Sequence, residues 1–343
     1  MRFLCYISAM QSFWHTLPKP FFVQAPMEDV TDAAFRALIA GYSSPDVPRV
    51  MFTEFTSADG LVLAPEEGKE KLLKKLLYSE VERPIVAQLF TAVPERMEQA
   101  AQLVADLGFD GIDINMGCPD RAVEKSGCGA ALIKNPSLAR ELIRAAKKSG
   151  LPVSVKTRIG YNTDELDAWL PQLLAEEPAA ITIHARTRKE MSDVPARWDT
   201  VARAVEIRNQ CQGDALPLTA IVGNGDVKDI ADARAKAAEA KCDGVMLGRA
   251  VFGNPWLFQC SQEHQNKEPK ERMQALSEHL ALFAELLGDS VNYATMKKHF
   301  KAYISGWNGA KELRARLMET EHLTQAHALL RSVLETAAPY AKT

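Results

Sequence analysis

The segment GIDINMGCP, residues 111–119, changes abruptly from a buried strand to a turn. Residues 111–115 form a short run with two isoleucines, bounded by glycine and asparagine, which indicates a strand. Gly117, Cys118 and Pro119 then end the strand, so a reactive thiol follows it directly. This strand-to-turn unit is the pattern from which the fold can be worked out.

Seven further apolar, β-branched runs are bounded by Gly, Pro, Asn or Asp, and amphipathic helical stretches separate them. The eight predicted strands are 21–24, 50–53, 85–89, 111–115, 153–157, 181–184, 218–222 and 244–247. Eight strand-helix units within about 250 residues predict an α/β fold, a closed (β/α)₈ TIM barrel, rather than a doubly wound open sheet.

The pattern changes after Phe258. Residues 262–273 are polar and read as a linker, and only helical periodicity follows. We therefore predict two domains, a catalytic barrel at 1–258 and an all-helical domain at 259–343.

Composition is ordinary for a soluble globular protein, with 343 residues, 47% hydrophobic residues and a net charge of -3. No apolar run approaches the length of a membrane span, and residues 3–13 lack a signal cleavage site, so we expect a cytoplasmic protein; Met10 is an alternative start. The six cysteines form no C-x-x-C or zinc pattern, and no metal cluster or heptad seam is evident. We expect reduced thiols, no metal and a monomer.

Active sites of such barrels gather at the carboxyl ends of the strands. In this sequence those ends bring together Pro26, Met27, Glu54, Gln88, Asn115, Cys118, Lys156, Arg158, His184, Arg186, Asn224, Gly225, Asp226, Gly248 and Arg249. The loops after strands seven and eight commonly bind phosphate, and GNGD (223–226) with Gly248 and Arg249 fits that role. The alternative is that these glycines only make tight turns.

Lys156 allows two functional interpretations. It could form a Schiff base with a carbonyl substrate, or place positive charge beside a bound ring; a plain salt bridge is the structural alternative. His184 and Gln88 are further ring-binding donors, although a lone histidine is often only a core residue. Cys118, in a Gly-Cys-Pro turn just past a strand end, is the candidate catalytic thiol, with Cys128 as the rival. Cys5, Cys211, Cys242 and Cys260 lie off the predicted mouth and are interpreted as structural or incidental.

An ordered set of motifs resembles the tRNA-dihydrouridine synthases. The motifs are APMEDVTD (25–32), TEF (53–55), AQL (87–89), DINMGCP (113–119), SGCGAALIKNP (126–136), VKTRIG (155–160), IHARTR (183–188), GNGD (223–226), GRA (248–250) and MKKHFKAYISGWNGAKELR (296–314). They span nearly the whole chain in order. Cys128 and Asp29 depart from the usual residues at their positions.

The resemblance implies FMN at the barrel mouth, with NADPH as reductant and tRNA as partner. It implies a flavin site formed by Pro26, Met27, Gln88, Lys156, His184, Asn224, Gly225, Asp226, Gly248 and Arg249. It also implies that Asn115 holds the target uracil and that Cys118 is the general acid. Hydride would add at C6 of the C5=C6 bond, and a neutral thiol would protonate C5.

The C-terminal segment has a charge pattern suited to RNA. Residues 297–316 hold six basic residues and one acidic residue, a net charge of +5 in a protein of -3. Lys298, Tyr303 and Arg314 in this segment, with Arg158 and Arg186 on the barrel, are the predicted RNA contacts. Tyr303 and Trp307 could stack on bases or pack in the core, and a solvated helix face is the alternative for the charges.

Three other hypotheses remain open at this point. A flavin enzyme could reduce a free pyrimidine, although such a substrate needs no basic tail. A Lys156 Schiff-base aldolase would be colourless. A silent RNA-binding barrel would not need a proton donor at its mouth. The sequence does not distinguish tRNA from ribosomal RNA, nor does it identify the uridine.

Overall fold

The computed structural model describes residues 12–213, 217–259 and 267–336. Cys5, Met10, Cys260 and residues 262–266 of the expected linker lie outside these ranges. The described strands are β1 (Phe21–Gln24), β2 (Arg49–Phe52), β3 (Thr56–Ser57), β4 (Ile85–Phe90), β5 (Gly111–Met116), β6 (Val153–Arg158), β7 (Ala180–His184), β8 (Ala220–Asn224) and β9 (Gly244–Leu247).

All strand pairs are parallel, in the order β2-β1-β9-β8-β7-β6-β5-β4-β3. The sheet closes because β2 also pairs with β4, with Met51 opposite Ile85. The two-residue strand β3 pairs with the same β4 farther along, so β2 and β3 share one position in the barrel. The predicted eight-stranded barrel is confirmed.

Helices surround this barrel and continue beyond it. They are α1 (Phe13–Thr16), α2 (Ala33–Tyr42), α3 (Ala58–Leu63), α4 (Glu66–Lys75), α5 (Pro94–Asp106), α6 (Arg121–Lys125), α7 (Pro136–Lys147), α8 (Leu166–Leu174), α9 (Trp198–Gln212), α10 (Ile230–Ala240), α11 (Pro269–Leu286), α12 (Ala294–Tyr303), α13 (Ala310–Glu319) and α14 (Leu323–Thr336). Helix α7 shows the local logic: Pro136 occupies its first turn, and the Asn135 side chain accepts the Leu138 N–H.

Side chains inside the barrel form a cluster distinct from the larger core between barrel and helices. Phe21 and Val23 belong to the inner cluster and Phe22 to the outer one, as strand alternation requires. Trp14 of α1 packs against Phe21 and Phe52, with ring centroids 5.6 and 6.3 Å apart. These side chains fill the interior of the barrel on the side of α1. The other end, where the strands finish, remains for chemistry.

The C-terminal helices dock on the barrel through α11, which packs against α2. Phe35 of α2 stacks on His279 of α11 at 4.9 Å and lies edge-on to His299 of α12 at 4.8 Å. Both histidines are buried. The described residues from 267 to 336 are helical apart from short connections, in agreement with the expected helical domain.

Among the residues that the structure describes, no helix has both the length and the apolar character needed to cross a membrane.

Candidate active site at the barrel mouth

A cavity of about 700 Å³ opens at the carboxyl ends of β1, β6, β7, β8 and β9. It is lined by Ala25, Pro26, Met27, Lys156, His184, Arg186, Ser192, Asn224, Gly225, Asp226, Val227, Lys228, Met246, Gly248, Arg249 and Ala250. Nine of the ten residues expected from the sequence to bind a cofactor are in this set. Gln88 is the exception, and the additions that no motif indicated are Ser192, Val227, Lys228 and Met246.

The end of the cavity nearest β8 and β9 combines a carboxylate with two guanidinium groups. Asp226 accepts hydrogen bonds from Arg186 Nη2 and, at 2.6 Å, from Arg249 Nη2. These partners lower the pKa of the Asp226 carboxyl. The Arg249 side chain is 70% exposed, so it can turn from Asp226 toward an anion. Two guanidinium groups share one carboxylate, so the positive charge expected for phosphate binding is present and only partly neutralised.

His184 is a neutral base whose proton position follows from its neighbour. Its pKa lies well below the usual value because of burial and the cations around it. Arg186 Nη1 is 3.1 Å from His184 Nε2. A guanidinium can only donate, so Nε2 is the acceptor and the ring proton is assigned to Nδ1. His184 can thus offer one N–H donor to a ligand.

Lys156 projects into the cavity from β6, opposite Asn115 in the register with β5. Burial, with a smaller contribution from Arg158, lowers the Lys156 pKa to about 8. At neutral pH the ammonium group is still mostly protonated. The site therefore holds a positive charge at neutral pH, and this charge is lost as the pH rises through about 8.

Cys118 lies just beyond β5 in a turn held from both sides. Arg158 Nε donates to the Gly117 carbonyl at 2.9 Å, and the Cys118 carbonyl accepts the Ala130 N–H at 3.0 Å. Burial raises the pKa of the Cys118 thiol, so the thiol is protonated at neutral pH. It can act as a proton donor, whereas a nucleophilic role would require a lowered pKa.

Cys128 lies close to this turn in the chain but is 1% exposed, and its thiol donates weakly to the Ser126 carbonyl at 3.6 Å. Burial also raises its pKa. Cys242 is buried and Cys211 is exposed at the end of α9, away from the cavity lining. This distribution favours Cys118 over Cys128 as the accessible thiol.

Three of the expected RNA contacts, Tyr303, Arg158 and Arg186, are too buried to lie on an exposed basic surface. Tyr303 is 0% exposed, which contradicts base stacking and leaves core packing, the alternative. Arg158 and Arg186 are 6% and 2% exposed and donate to backbone carbonyls, so they lie beneath the rim rather than on a basic surface. Arg314 donates to the Ile304 carbonyl at 2.8 Å.

Lys298 remains exposed but is paired across the two regions. Its ammonium lies 2.8 Å from the Asp29 carboxylate, in the loop after β1. Glu28, Asp29 and Glu54 have carboxylate oxygens within 4.8 Å of one another. Two of the three have lysine partners, since Lys75 pairs with Glu28. These ion pairs link the loop after β1 to Lys75 of α4 and Lys298 of α12.

Comparisons with known proteins agree on one family. The sequence profile described as "Dihydrouridine synthase (Dus)" matches residues 23–338. A "Probable tRNA-dihydrouridine synthase" of Staphylococcus aureus (strain COL) is 40% identical over 322 residues, covering 93% of this chain and 95% of that protein. A "Probable tRNA-dihydrouridine synthase 2" of Bacillus subtilis (strain 168) is also 40% identical, with 93% and 96% covered.

Similar solved structures share the fold at low identity. Histamine dehydrogenase from Rhizobium sp. 4-9 has a TM-score of 0.52 at 14% identity, covering 76% of this chain and 48% of its own. The 6-hydroxypseudooxynicotine amine oxidase of Pseudomonas geniculata N1 has a TM-score of 0.50 at 11% identity, covering 93% and 65%. At such identities the likeness concerns architecture alone.

Proposed function

This chain belongs to the dihydrouridine synthase family, and on that premise we propose that it reduces the C5=C6 bond of specific uridines in tRNA to dihydrouridine. FMN is the proposed cofactor and NADPH the proposed reductant. The observation that supports this best is the protonated thiol of Cys118 beside a cavity whose lining contains Lys156 and His184.

The cavity fits a flavin mononucleotide in size and donor chemistry. Its volume of about 700 Å³ is within the range of roughly 300–1,000 Å³ usual for ligand pockets. Lys156 and His184 offer hydrogen-bond donors, and Arg249 and Lys228 offer positive charge to a phosphate. Gly248 would meet only ordinary contacts, 3.6 Å from Ala25 and Met27, if it had a Cβ, so that part of the wall is open.

When bound, the reduced flavin supplies a hydride to C6 of the uracil ring. The chain's own contribution begins with charge, since negative charge developing toward C5 and O4 is stabilised by nearby cations. Lys156 supplies such a charge at neutral pH. Cys118 then gives its S–H proton to C5. General acid catalysis of this kind contributes about 10² to 10⁴-fold in rate.

We propose that the C-terminal helices bind the RNA backbone. Four basic residues are exposed on α12 and α13, namely Lys298, Lys301, Lys311 and Arg316. Phosphate contacts position a nucleic acid without reading its sequence. The target uridine has to leave its stack to reach the cavity, at a cost of a few kcal/mol. Basic charge near the mouth offsets part of that cost.

The first test is the visible absorption of the purified protein, with and without NADPH under anaerobic conditions. A yellow protein that NADPH bleaches, followed by dihydrouridine in added tRNA, is the expected result. Reduction of free uracil with none of tRNA would favour the small-substrate alternative. A colourless protein that takes up no added FMN would overturn the flavin proposal.

A further inference from the structure

A chain of buried hydrogen bonds runs from Asp113, inside β5, to the turn that holds Cys118. We propose that Asp113 is a positioning residue, which fixes the Cys118 turn through Gln88 and Asn115. The catalytic meaning of this arrangement rests on the proposed function, whereas the effect on the thiol itself does not.

The members of this chain are shielded from water. Asp113, Gln88 and Asn115 are 0%, 1% and 6% exposed. Gln88 on β4 lies opposite Asp113 on β5 in the strand register. Solvent therefore competes little for these polar groups, and hydrogen bonds in such surroundings are both stronger and costlier to leave unmade.

The orientation of each group follows from the one before it. The Asp113 carboxylate accepts hydrogen bonds from Ser154 Oγ and from Gln88 Nε2, both at 2.7 Å. Because an ionised carboxylate can only accept, the Gln88 amide must direct its nitrogen at Asp113. Its Oε1 therefore faces the other way.

The second half of the chain reaches the catalytic turn. Gln88 Oε1 accepts from Asn115 Nδ2 at 3.3 Å, so Asn115 Oδ1 points forward. That oxygen accepts the N–H groups of Gly117 at 3.2 Å and Cys118 at 3.0 Å. If either amide turned over, an N–H would face an N–H. Asp113 at one end and the two backbone N–H groups at the other thus impose the same polarity on both amides.

This arrangement changes the role expected for Asn115. Its oxygen is already committed to two backbone N–H groups, and one Nδ2 hydrogen is committed to Gln88. Only the second Nδ2 hydrogen remains for a base. Arg158 and Ala130 donate to the carbonyls of the same turn. The chain from Asp113 through Gln88 to Asn115 accepts its N–H groups.

The discriminating variant is Asp113→Asn, which keeps the shape but can donate as well as accept. Gln88 can then also turn over, which sets its Nε2 against Asn115 Nδ2 and weakens the hold of Asn115 on the Cys118 turn. We expect kcat to fall by roughly 10- to 100-fold, because misplacement of a reacting group by about 1 Å can cost 10². KM for tRNA and flavin reduction by NADPH should change little. Ser154→Ala removes the other hydrogen bond to the carboxylate but leaves Gln88 oriented, so the decrease in kcat should be much smaller in this variant.

A readout independent of turnover is the rate at which iodoacetamide alkylates Cys118, measured by peptide mass spectrometry on the full chain. Asp113→Asn should change that rate several-fold and Ser154→Ala should not; this comparison stands even if tRNA proves not to be the substrate. Gln88→Met, which breaks the chain at its middle, should reproduce the change in alkylation. Equal alkylation rates in all three variants and the wild type would overturn the proposal.

Discussion

Cys118 is the residue on which the proposed proton transfer depends directly. Replacing it with alanine should lower kcat by about 10² to 10⁴-fold, because the general acid is removed. Bound flavin should be retained, since Cys118 does not line the cavity. The measurement is the rate at which dihydrouridine forms in tRNA, with the flavin absorbance as a check on cofactor binding.

Cys128→Ala is the matched control for that substitution. Its thiol is buried and its partner is the Ser126 carbonyl. Turnover close to wild type is expected from this variant. An equal loss of activity in both cysteine variants would remove the argument for Cys118.

Lys156 makes turnover depend on pH. Its pKa is lowered to about 8 by burial, so the ammonium charge is present below pH 8 and lost as pH rises through that value. The Cys118 thiol, with a raised pKa, ionises later. We expect kcat to decline above about pH 8, measured at saturating NADPH and tRNA.

Lys156→Arg tests the origin of that decline, because a guanidinium stays charged throughout the range. The basic limb should move to higher pH in the variant. A limb that stays at about pH 8 would assign the titration to another group.

Two glycines allow a controlled test at the level of a turn. Gly129 has φ +60°, and a Cβ there would lie 2.6 Å from the Cys118 carbonyl oxygen. Gly150, after α7, has φ +79° with nothing within 4 Å of such a Cβ. Both alanine variants should lose about 1 kcal/mol or more of stability from the backbone conformation. Only Gly129→Ala should also reduce kcat, because it displaces the Cys118 turn; similar kcat values in the two variants would contradict this.

Element boundaries show where local sequence signals are sufficient. Helix α7 begins at Pro136, since proline and the Asn135 cap act within one turn. Asp32 caps α2 by accepting the Phe35 N–H, whereas the neighbouring Thr31 side chain accepts the Met27 N–H. Strand β8 begins at Ala220 rather than Leu218, since Gln212 accepts the Thr219 N–H at 2.9 Å. Both features depend on side-chain hydrogen bonds, over four residues at Thr31 and seven at Gln212, which a hydrophobic pattern does not record.

At the scale of the whole molecule, two buried histidines join the barrel to its helices. Burial lowers the His299 pKa to about 4 and that of His279 well below its usual value. The unfolded chain takes up protons below about pH 6.5 while the folded protein does not. Stability should therefore fall as pH drops from about 6.5 to 4, by about 3 kcal/mol for His299 alone.

Urea unfolding at pH 7.5 and pH 5 measures this effect. His299→Leu should lose less stability on acidification than the wild type, because the titrating group is gone. Asp32, whose pKa is raised to about 6, acts in the opposite direction in both proteins, so the difference between them isolates the histidine. An identical pH dependence in the two proteins would contradict the assignment.

The sequence by itself determined the barrel, its strand order along the chain, the helical C-terminal region and most of the cavity lining. These depend on hydrophobic periodicity and on strand ends, which are local properties. The eight repeated units and Cys118 after β5 could be read directly. Nine of ten expected cofactor residues line one cavity because parallel strands finish at a common edge.

Only the tertiary structure decided which polar groups already have partners. Tyr303 is buried, Arg249 is paired with Asp226, and Asn115 is bonded to the turn that follows it. Asp113 is a charged residue within a buried strand, a signal visible in the sequence, but its partner Gln88 is 25 residues away. Burial and hydrogen-bond direction depend on contacts between distant segments, and no local pattern encodes them.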